Sequence, residues 1–313
     1  AIHSITYIPE VTNWTVFWSW SRLLDYTLLP YSPCAKQFVN HIPHLTMISK
    51  RNLPALSSYM IESCALPQCR AYSQRNQVQE PYSNWIFKST KHTGVNIYTG
   101  SDVNYNQFIF QQRINAKFVP GTRRIFDLGV YVLVRSLLPL VYSVYSKWLV
   151  RLCLNDYVHN DVLNNDKSRF VIGSSYDTLF EFSAMTSKLQ ECKSSADCVI
   201  RQLLHEDGIN VTKVDSQIHE VIKCSLEYEI KQNRSNAHQS RFSFFELLRY
   251  DFLLNRSSAY PFLTEINMSP SLHPNHFIND GWLKRNITVD VFHMLLHGPK
   301  PNDGWIHYNR QDV

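Results

Sequence analysis

Two apolar segments separated by a short polar loop constrain the fold of this chain most strongly. Residues 242–255 read FSFFELLRYDFLLN, and residues 260–272 read YPFLTEINMSPSL. The five residues between Leu254 and Tyr260 are polar or small. Dense apolar runs joined by a few turn-forming residues predict a β-hairpin. An isolated hairpin is only marginally stable, so the chain must supply a larger sheet on which this hairpin packs.

The remaining pattern predicts an α+β fold with a mainly antiparallel sheet. Strands are expected at residues 84–89, 95–98, 108–114, 125–134, 140–145 and 148–154. A tight turn at Ser146-Lys147 is expected to join the last two strands in an antiparallel run. Apolar residues recur at helical spacing between 177 and 238, and a closing helix is expected at 290–297. Runs of strands followed by helices are typical of α+β folds rather than of doubly wound parallel sheets.

Glycine is scarce, and its scarcity excludes two classes of nucleotide-binding fold. The chain has 9 glycines among 313 residues, whereas the average usage of about 7 % would give about 22. Neither G-x-G-x-x-G nor G-x-x-x-x-G-K-[ST] occurs. In Rossmann and P-loop proteins those glycines let the backbone approach phosphate groups, so both classes are excluded at the level of motifs.

Charge and hydropathy narrow the possible partners. The net charge of +5 permits an acidic partner, and no nucleic-acid partner is expected. The most apolar stretch, residues 125–150, is interrupted by charged residues and Pro139, so no transmembrane segment is expected in it.

The first residue is Ala rather than Met. The sequence is therefore expected to be a fragment or a processed chain, with an upstream signal or anchor left open.

Three polar residues of the hairpin are candidate ligands for a hard cation. Asp251 lies in the first strand, and Glu265 and Asn267 lie two residues apart in the second strand. Residues two apart share one face of a sheet, so antiparallel pairing can bring all three together. Carboxylate and amide oxygens suit Mg²⁺, which keeps positions for phosphate oxygens. The alternative is that these residues form the solvated face of a half-buried sheet.

The hairpin also carries a long motif that resembles a known family. FELLRYD at 245–251, followed by FLTEINMSPSL at 262–272, is similar to the C-terminal signature of tubulin tyrosine ligase-like proteins. The family pattern is FEL-x-G-x-D followed by W-L-[LI]-E-[VI]-N-x-S-P-S-L. Other segments resemble family elements in the right order and extend the resemblance over nearly the whole chain. They are NWTVFWS from 13, VNHIP from 39, NWIFK from 84, FQQRI from 110, FDLGVYVLV from 126 and LVR from 149.

The resemblance implies a fold and an activity. It implies an ATP-grasp fold and a ligase that uses ATP and Mg²⁺ to couple an amino acid, with glutamate favoured, to tubulin or another acidic protein through an acyl phosphate. It also implies a cytoplasmic, microtubule-associated location. The expected divisions are an N-terminal subdomain at 1–83, a central subdomain at 84–120, a C-terminal subdomain at 121–298 with a helical insert at 177–238, and a polar tail at 299–313.

By matching positions, the resemblance implies a metal set, a nucleotide set and a catalytic set of residues. The metal set is Asp251, Glu265 and Asn267. The nucleotide set is Lys88, Gln111, Gln112 and Ile114. The catalytic set is Glu265, Arg151 and Asp127. In this assignment Lys88 contacts ATP phosphates as a point charge. The two glutamines border the adenine, and Ile114 packs on the base.

The chain departs from the family pattern at several of these positions. Ile125 stands where the strand motif K-F-D-[IL]-R has lysine, Gly129 stands where it has arginine, and Arg249 replaces the glycine of FEL-x-G-x-D. The polar string H-L-T-N is replaced by FVIG at 170–173. Each lost charge-assisted contact is worth about 1.5–3 kcal/mol. An alternative is therefore a catalytically impaired ATP-grasp protein that binds tubulin or another protein, unless Arg123, Arg124 or Arg135 substitutes.

Cysteines and glycosylation motifs leave a second location open. Two cysteine pairs are close in sequence, Cys64 with Cys69 and Cys192 with Cys198, and six N-x-[ST] sequons occur. Such features are typical of an oxidising secretory lumen. This alternative is a luminal family member with a partner other than tubulin. Chance occurrence in an Asn- and Ser-rich chain is the other explanation for the sequons.

Overall fold

The computed structural model describes the C-terminal two thirds of the chain and parts of the rest. The described residues are 14–19, 29–32, 36–43, 45, 63–64, 85–89, 95–97, 108–158, 166–173, 175–233, 242–273 and 278–310. Most of the segment 1–83, including Cys69, lies outside them. In the described ranges, no helix combines the length and the apolar character needed to cross a membrane.

The described elements are twelve strands, four α-helices and three short 3-10 helices at Lys167–Arg169, Leu179–Glu181 and Ser183–Met185. The strands are β1 (Val16–Phe17), β2 (Phe38–Asn40), β3 (Ser63–Cys64), β4 (Trp85–Ser89), β5 (Val95–Ile97), β6 (Phe108–Gln112), β7 (Phe126–Leu137), β8 (Leu140–Tyr145), β9 (Leu149–Leu152), β10 (Ser243–Leu254), β11 (Pro261–Met268) and β12 (Trp305–Arg310). The α-helices are α1 (Thr186–Glu191), α2 (Ala196–Glu206), α3 (Val211–Asn233) and α4 (Ile278–His297).

The predicted hairpin lies in an eight-stranded sheet. Strands β10 and β11 pair antiparallel, and β10 pairs antiparallel with β7 on its other side. The sheet order is β1-β2-β10-β7-β8-β12, with β11 paired to β10 and β9 paired to β7. The parallel pairs in this sheet are the short contacts of β2 with β1 and β10. The α+β, mainly antiparallel class predicted from the sequence is confirmed.

Helices cover both faces of this sheet, and alternate residues of the central strands point to opposite layers. Even-numbered apolar residues of β7 and β10, such as Val130 and Tyr250, pack with apolar residues of α2 and α3. Odd-numbered residues such as Leu133 and Leu247 pack instead with apolar residues of α4. The odd-numbered positions of β7, β9 and β10 therefore share the face that α4 covers.

Two features of the sheet differ from the sequence prediction. Strand β9 pairs with residues 126–129 of β7 and not with β8. These residues of β7 are open to β9 because β8 pairs with β7 only from Val132 onward. The segment 299–313, predicted to be a polar tail, instead contains β12, which pairs with β8. Its alternation places Trp305 against α4 and stacks Tyr308 on Tyr142 with ring centroids 4.7 Å apart. The alternation of apolar and polar residues in β12 is difficult to recognise in the sequence, because the strand has only six residues and several of them are polar.

The helical regions also refine the prediction. Helix α4 begins at Ile278, well before the predicted start at residue 290, because polar residues in its first turns obscure the apolar period. The predicted helical insert contains α1, α2 and α3. Cys192 and Cys198 form a disulfide between the end of α1 and the first turn of α2. The proposed subdomain divisions at residues 84 and 121 stay a prediction.

A buried contact fastens the N-terminal segment to β10. The Glu246 carboxylate, 1 % exposed, lies 3.0 Å from His41 Nδ1 and accepts the backbone N–H of Ile42 at 3.2 Å. This contact joins the VNHIP segment to the FEL segment. The two motifs thereby stabilise one another, since a buried carboxylate needs hydrogen-bond partners.

The second sheet is four-stranded and has the order β3-β6-β4-β5. All its pairings are antiparallel. It carries Lys88 on β4 and Gln111 and Gln112 at the end of β6. Three of its four strands are predicted from the apolar runs at 84–89, 95–98 and 108–114, whereas β3 is not.

Candidate active site

The geometry of the main sheet brings together charged residues from three adjacent strands. Asp127 on β7 pairs with Arg151 on β9, and Asp251 on β10 pairs with Gly129 on β7. All these positions are odd-numbered, so their side chains share the face of the sheet covered by α4. Arg249, two residues before Asp251, lies on the same face.

Arg151 bridges two buried aspartates. Its Nε and one terminal nitrogen donate to the two oxygens of Asp127 at 3.0 and 2.5 Å. The same terminal nitrogen lies 2.9 Å from Asp251 Oδ2. The three side chains are each 7 % exposed or less. A guanidinium is suited to this role because its donors form a planar fork and it stays charged when buried.

Arg249 brings a second guanidinium to Asp251. Its Nε donates to Asp251 Oδ1 at 2.7 Å, and a terminal nitrogen donates to Oδ2 at 2.9 Å. Asn267, on β11, donates its side-chain N–H to Asp251 Oδ2 at 2.7 Å. The cluster of two arginines and two aspartates is therefore balanced in charge, which is the condition for burying ionised groups.

The two aspartates have different proton affinities. Burial raises the pKa of Asp127 to about 7; Arg151 opposes this rise, and the negative charge of Asp251 adds to it. Burial also raises the pKa of Asp251, but Arg151 and Arg249 together outweigh burial and hold this pKa below its usual value. Asp251 is thus the carboxylate that stays ionised, and Asp127 is the group that accepts a proton first.

Strand β11 connects this cluster to the second sheet. Glu265 pairs directly with Asp251 in the hairpin register. Lys88 on β4 donates from Nζ to the backbone oxygen of Thr264 at 3.1 Å, and the Thr264 hydroxyl donates to the backbone oxygen of Asp251 at 2.9 Å. Lys88 therefore lies beside β11, the strand that carries Glu265 and Asn267, and its hydrogen bond joins the second sheet to the main sheet.

The other residues assigned to the nucleotide lie further along the second sheet. Gln111 and Gln112 pair with Ile86 and Trp85 on β4, and Gln111 is buried. Ile114 follows β6 and packs against a small apolar cluster that includes Ile125. Their assignment to adenine stays a prediction.

An apolar cluster occupies the region in which the family pattern has polar residues. Ile125, at the expected lysine position, is 4 % exposed and packs with Ala116 and Cys153. Phe170 and Ile172 of the FVIG segment pack on the same cluster. The lysine and the polar string are therefore replaced together by side chains that pack on one another.

The donor set around Asp251 does not fit Mg²⁺ in this arrangement. Asp251 faces four N–H donors from Arg249, Arg151 and Asn267, three of them at Oδ2 and one at Oδ1, and donors of this kind stand where a cation would need lone pairs. Asn267 turns its N–H₂ group, not its oxygen, toward this carboxylate. Among the described residues, no group of three or more His, Cys, Asp and Glu side chains is placed to hold a metal ion. The metal set therefore stays a sequence prediction that this side-chain arrangement does not support.

Two features of the site were not assigned from the sequence. From the sequence, Arg249 is only a departure from the family pattern. The family has arginine where this chain has Gly129 and glycine where it has Arg249, and this exchange is a signal that could have linked the two positions. Asp280 in the first turn of α4 accepts from Tyr176 at 2.5 Å and pairs with Lys284 at 2.6 Å. The Tyr176 ring lies 5.7 Å from the Arg151 guanidinium, so this group borders the cluster.

The sequence matches a known protein family over most of its length. The Tubulin-tyrosine ligase family profile matches residues 33–303. "Probable tubulin polyglutamylase ttll-15" of Caenorhabditis elegans is 26 % identical over 294 residues, covering 90 % of this chain and 56 % of that protein. "Tubulin glycylase 3F" of Tetrahymena thermophila is 27 % identical over 249 residues, 69 % of this chain and 25 % of that protein. "Tubulin polyglutamylase ttll6" of Danio rerio is 23 % identical over 331 residues, 94 % of this chain and 40 % of that protein.

These matches define the class of protein. The fold is of the α+β ATP-grasp class, and the chain belongs to the tubulin-tyrosine ligase family. It spans about half the length of the ttll-15 relative and a smaller share of the other two. The resemblance stated from the motifs is thereby confirmed at the level of the family.

Proposed function

We propose that this chain is an ATP-dependent carboxylate–amine ligase that adds an amino acid, with glutamate favoured, to tubulin or another acidic protein in the cytoplasm. The observation that carries the proposal is the cluster in which Arg151 bridges Asp127 and Asp251, with Lys88 reaching the neighbouring strand. Relatives named as tubulin polyglutamylases and a tubulin glycylase support the reaction class.

The proposed reaction has two steps. The acceptor carboxylate attacks the γ-phosphorus of ATP, which forms an acyl phosphate and releases ADP. The amine of the incoming amino acid then attacks the acyl carbon, loses a proton and releases phosphate. Lys88 and the arginine pair are the cations of this site, and they are suited to phosphate and carboxylate oxygens. A net charge of +5 favours approach to an acidic tail.

Glu265→Gln tests the assignment of the site. Incorporation of labelled glutamate into purified tubulin should require ATP. It should fall about 100-fold or more in this variant, because Glu265 is assigned to catalysis and lies directly opposite Asp251. Glu220→Gln is the matched control, since Glu220 is an exposed residue of α3 and should leave incorporation unchanged. Equal activity of the wild type and Glu265→Gln would refute the assigned site.

ATP binding separates this proposal from the non-catalytic alternative. Isothermal titration with ATP should give saturable binding to the wild-type protein. Absence of ATP binding, together with retained binding to tubulin, would overturn the ligase and leave an ATP-grasp protein that binds its partner without turnover. The apolar replacement at Ile125 and 170–173 is the observation that favours this alternative.

A luminal location is the second candidate, and the Cys192–Cys198 disulfide favours it. Disulfides persist in oxidising compartments and are rare in the cytosol. In this case the acceptor is an acidic protein of the secretory pathway. Thiol alkylation of protein from intact cells, followed by mass spectrometry, distinguishes the locations: an alkylated Cys192 indicates the cytosol, and an oxidised pair with occupied sequons indicates the lumen.

A further inference from the structure

Arg249 and Gly129 share one space on neighbouring strands. A Cβ atom on Gly129 would lie 3.1 Å from Arg249 Cδ and 3.5 Å from its Cγ. It would also lie 3.3 Å from Leu149 Cβ. The stem of Arg249 therefore crosses from β10 to β7 over the glycine, and this path requires the absence of a side chain at position 129.

This path places the Arg249 guanidinium on Asp251 in a fixed, two-bond geometry. The two N–H donors contact different oxygens of the carboxylate, at 2.7 and 2.9 Å. The side chains of Arg249 and Asp251 are 12 % and 5 % exposed. Buried pairs with parallel bonds of this type are among the strongest and most directional in proteins.

Oδ2 of Asp251 has two further donors beside Arg249. Arg151 and Asn267 both contact Oδ2, at 2.9 and 2.7 Å. A divalent cation ligated through Oδ2 would have to displace at least one of these donors, and a cation at either oxygen would stand beside two guanidinium groups of the same sign. Both effects disfavour a metal ion at this carboxylate.

We propose that Arg249 takes the place of a divalent cation at Asp251, so that this carboxylate positions two arginines and is not a metal ligand. The inference concerns the site of the proposed ligase and rests on that proposal for the location of the reaction. Arg249 is then a positioning residue that holds Asp251, and Asp251 in turn holds Arg151. The two positive charges stand together where an anionic carboxylate or phosphoryl group would bind.

Binding of Mn²⁺, measured by the loss of the free Mn²⁺ EPR signal, tests the proposal on the whole chain. Asp251→Asn should leave the Mn²⁺ stoichiometry of the wild type unchanged. Arg249→Met keeps an unbranched apolar side chain over Gly129 but removes the charge, and it should gain one equivalent of Mn²⁺. The double variant Arg249→Met/Asp251→Asn should lose that equivalent again.

Two results would overturn the proposal. Loss of an Mn²⁺ equivalent in Asp251→Asn alone would show that Asp251 already ligates metal, and absence of a gain in Arg249→Met would show that Arg249 does not exclude it. If Asp251→Asn does not fold, the comparison of the wild type with Arg249→Met decides. Arg285→Met is the matched control, because Arg285 is an exposed arginine of α4 that lies outside the cluster, and it should gain no Mn²⁺.

The control variant tests whether the effect of Arg249 on Mn²⁺ binding is specific, and the ligase assay tests the proposed function separately. A gain in Arg285→Met equal to that in Arg249→Met would refute a specific effect of Arg249. Failure of ATP binding or of glutamate incorporation, with the predicted Mn²⁺ pattern intact, would overturn the ligase proposal and leave the role of Arg249 standing.

Discussion

Replacement of Gly129 by alanine should destabilise the protein because Arg249 occupies the space that a Cβ needs. The new Cβ would lie 3.1 Å from Arg249 Cδ and 3.3 Å from Leu149 Cβ. Carbon atoms prefer separations of about 3.5–4.0 Å, so both neighbours must move by a few tenths of an ångström. Arg249 cannot move freely, since two hydrogen bonds fix it on Asp251.

The magnitude follows from overpacking and from weakened hydrogen bonds. Overpacking of a close-packed interior costs about 1–3 kcal/mol, and hydrogen bonds to charged groups are worth about 1.5–3 kcal/mol each. We expect Gly129→Ala to lower the free energy of unfolding by about 2 kcal/mol. In an Arg249→Ala background only the Leu149 contact remains, and the same substitution should cost less than about 1 kcal/mol.

A double-mutant cycle measured by urea unfolding tests this coupling. Tryptophan fluorescence should report the transition of the four proteins, namely the wild type, the two single variants and the double variant. The expected coupling of about 1–2 kcal/mol exceeds the roughly 0.3–0.5 kcal/mol within which independent sites add. Gly173→Ala is the control, because nothing lies within 4 Å of its Cβ position, and it should be near neutral in both backgrounds. An equal cost of Gly129→Ala with and without Arg249 would refute the reasoning.

Three further predictions concern stability away from the proposed site. Burial lowers the pKa of His219 below its ordinary value of 6.5. Because the unfolded chain then binds a proton more readily than the folded one, stability should fall as the pH drops below about 6.5. His219→Gln should reduce this fall in thermal scans. Glu246→Ala should lower the free energy of unfolding by about 2–4 kcal/mol in urea titrations, because it leaves buried donors, including His41, without their acceptor; a cost under about 0.5 kcal/mol would contradict this. Replacing Cys192 and Cys198 by serine should cost about 2 kcal/mol under oxidising conditions and nothing when the wild type is reduced, because the disulfide closes a short loop.

The hairpin and the face that its residues share could be predicted from the sequence because both depend on local spacing. The period of two puts Glu265 and Asn267 on one face, and the short loop fixes the antiparallel partner, so that Asp251 pairs with Glu265. The partner of β9 could not be predicted in this way. Strand β7 is long enough to pair with both β8 and β9 along one edge, and the turn between those two strands does not reveal this.

The role of Arg249 also depends on a contact that spacing along the chain does not encode. Its importance arises where β10 pairs with β7, a strand far earlier in the sequence, and only the register Asp251↔Gly129 shows that the two departures from the family pattern adjoin. Considered separately, a lost arginine at 129 and a lost glycine at 249 argue for an impaired site. Considered together, they are one exchange: the space that a side chain at 129 would take is filled from the next strand, and a guanidinium remains on the same face of the sheet. The cluster thus keeps two arginines for two aspartates, and the loss of cations predicted from the sequence is confined to Ile125.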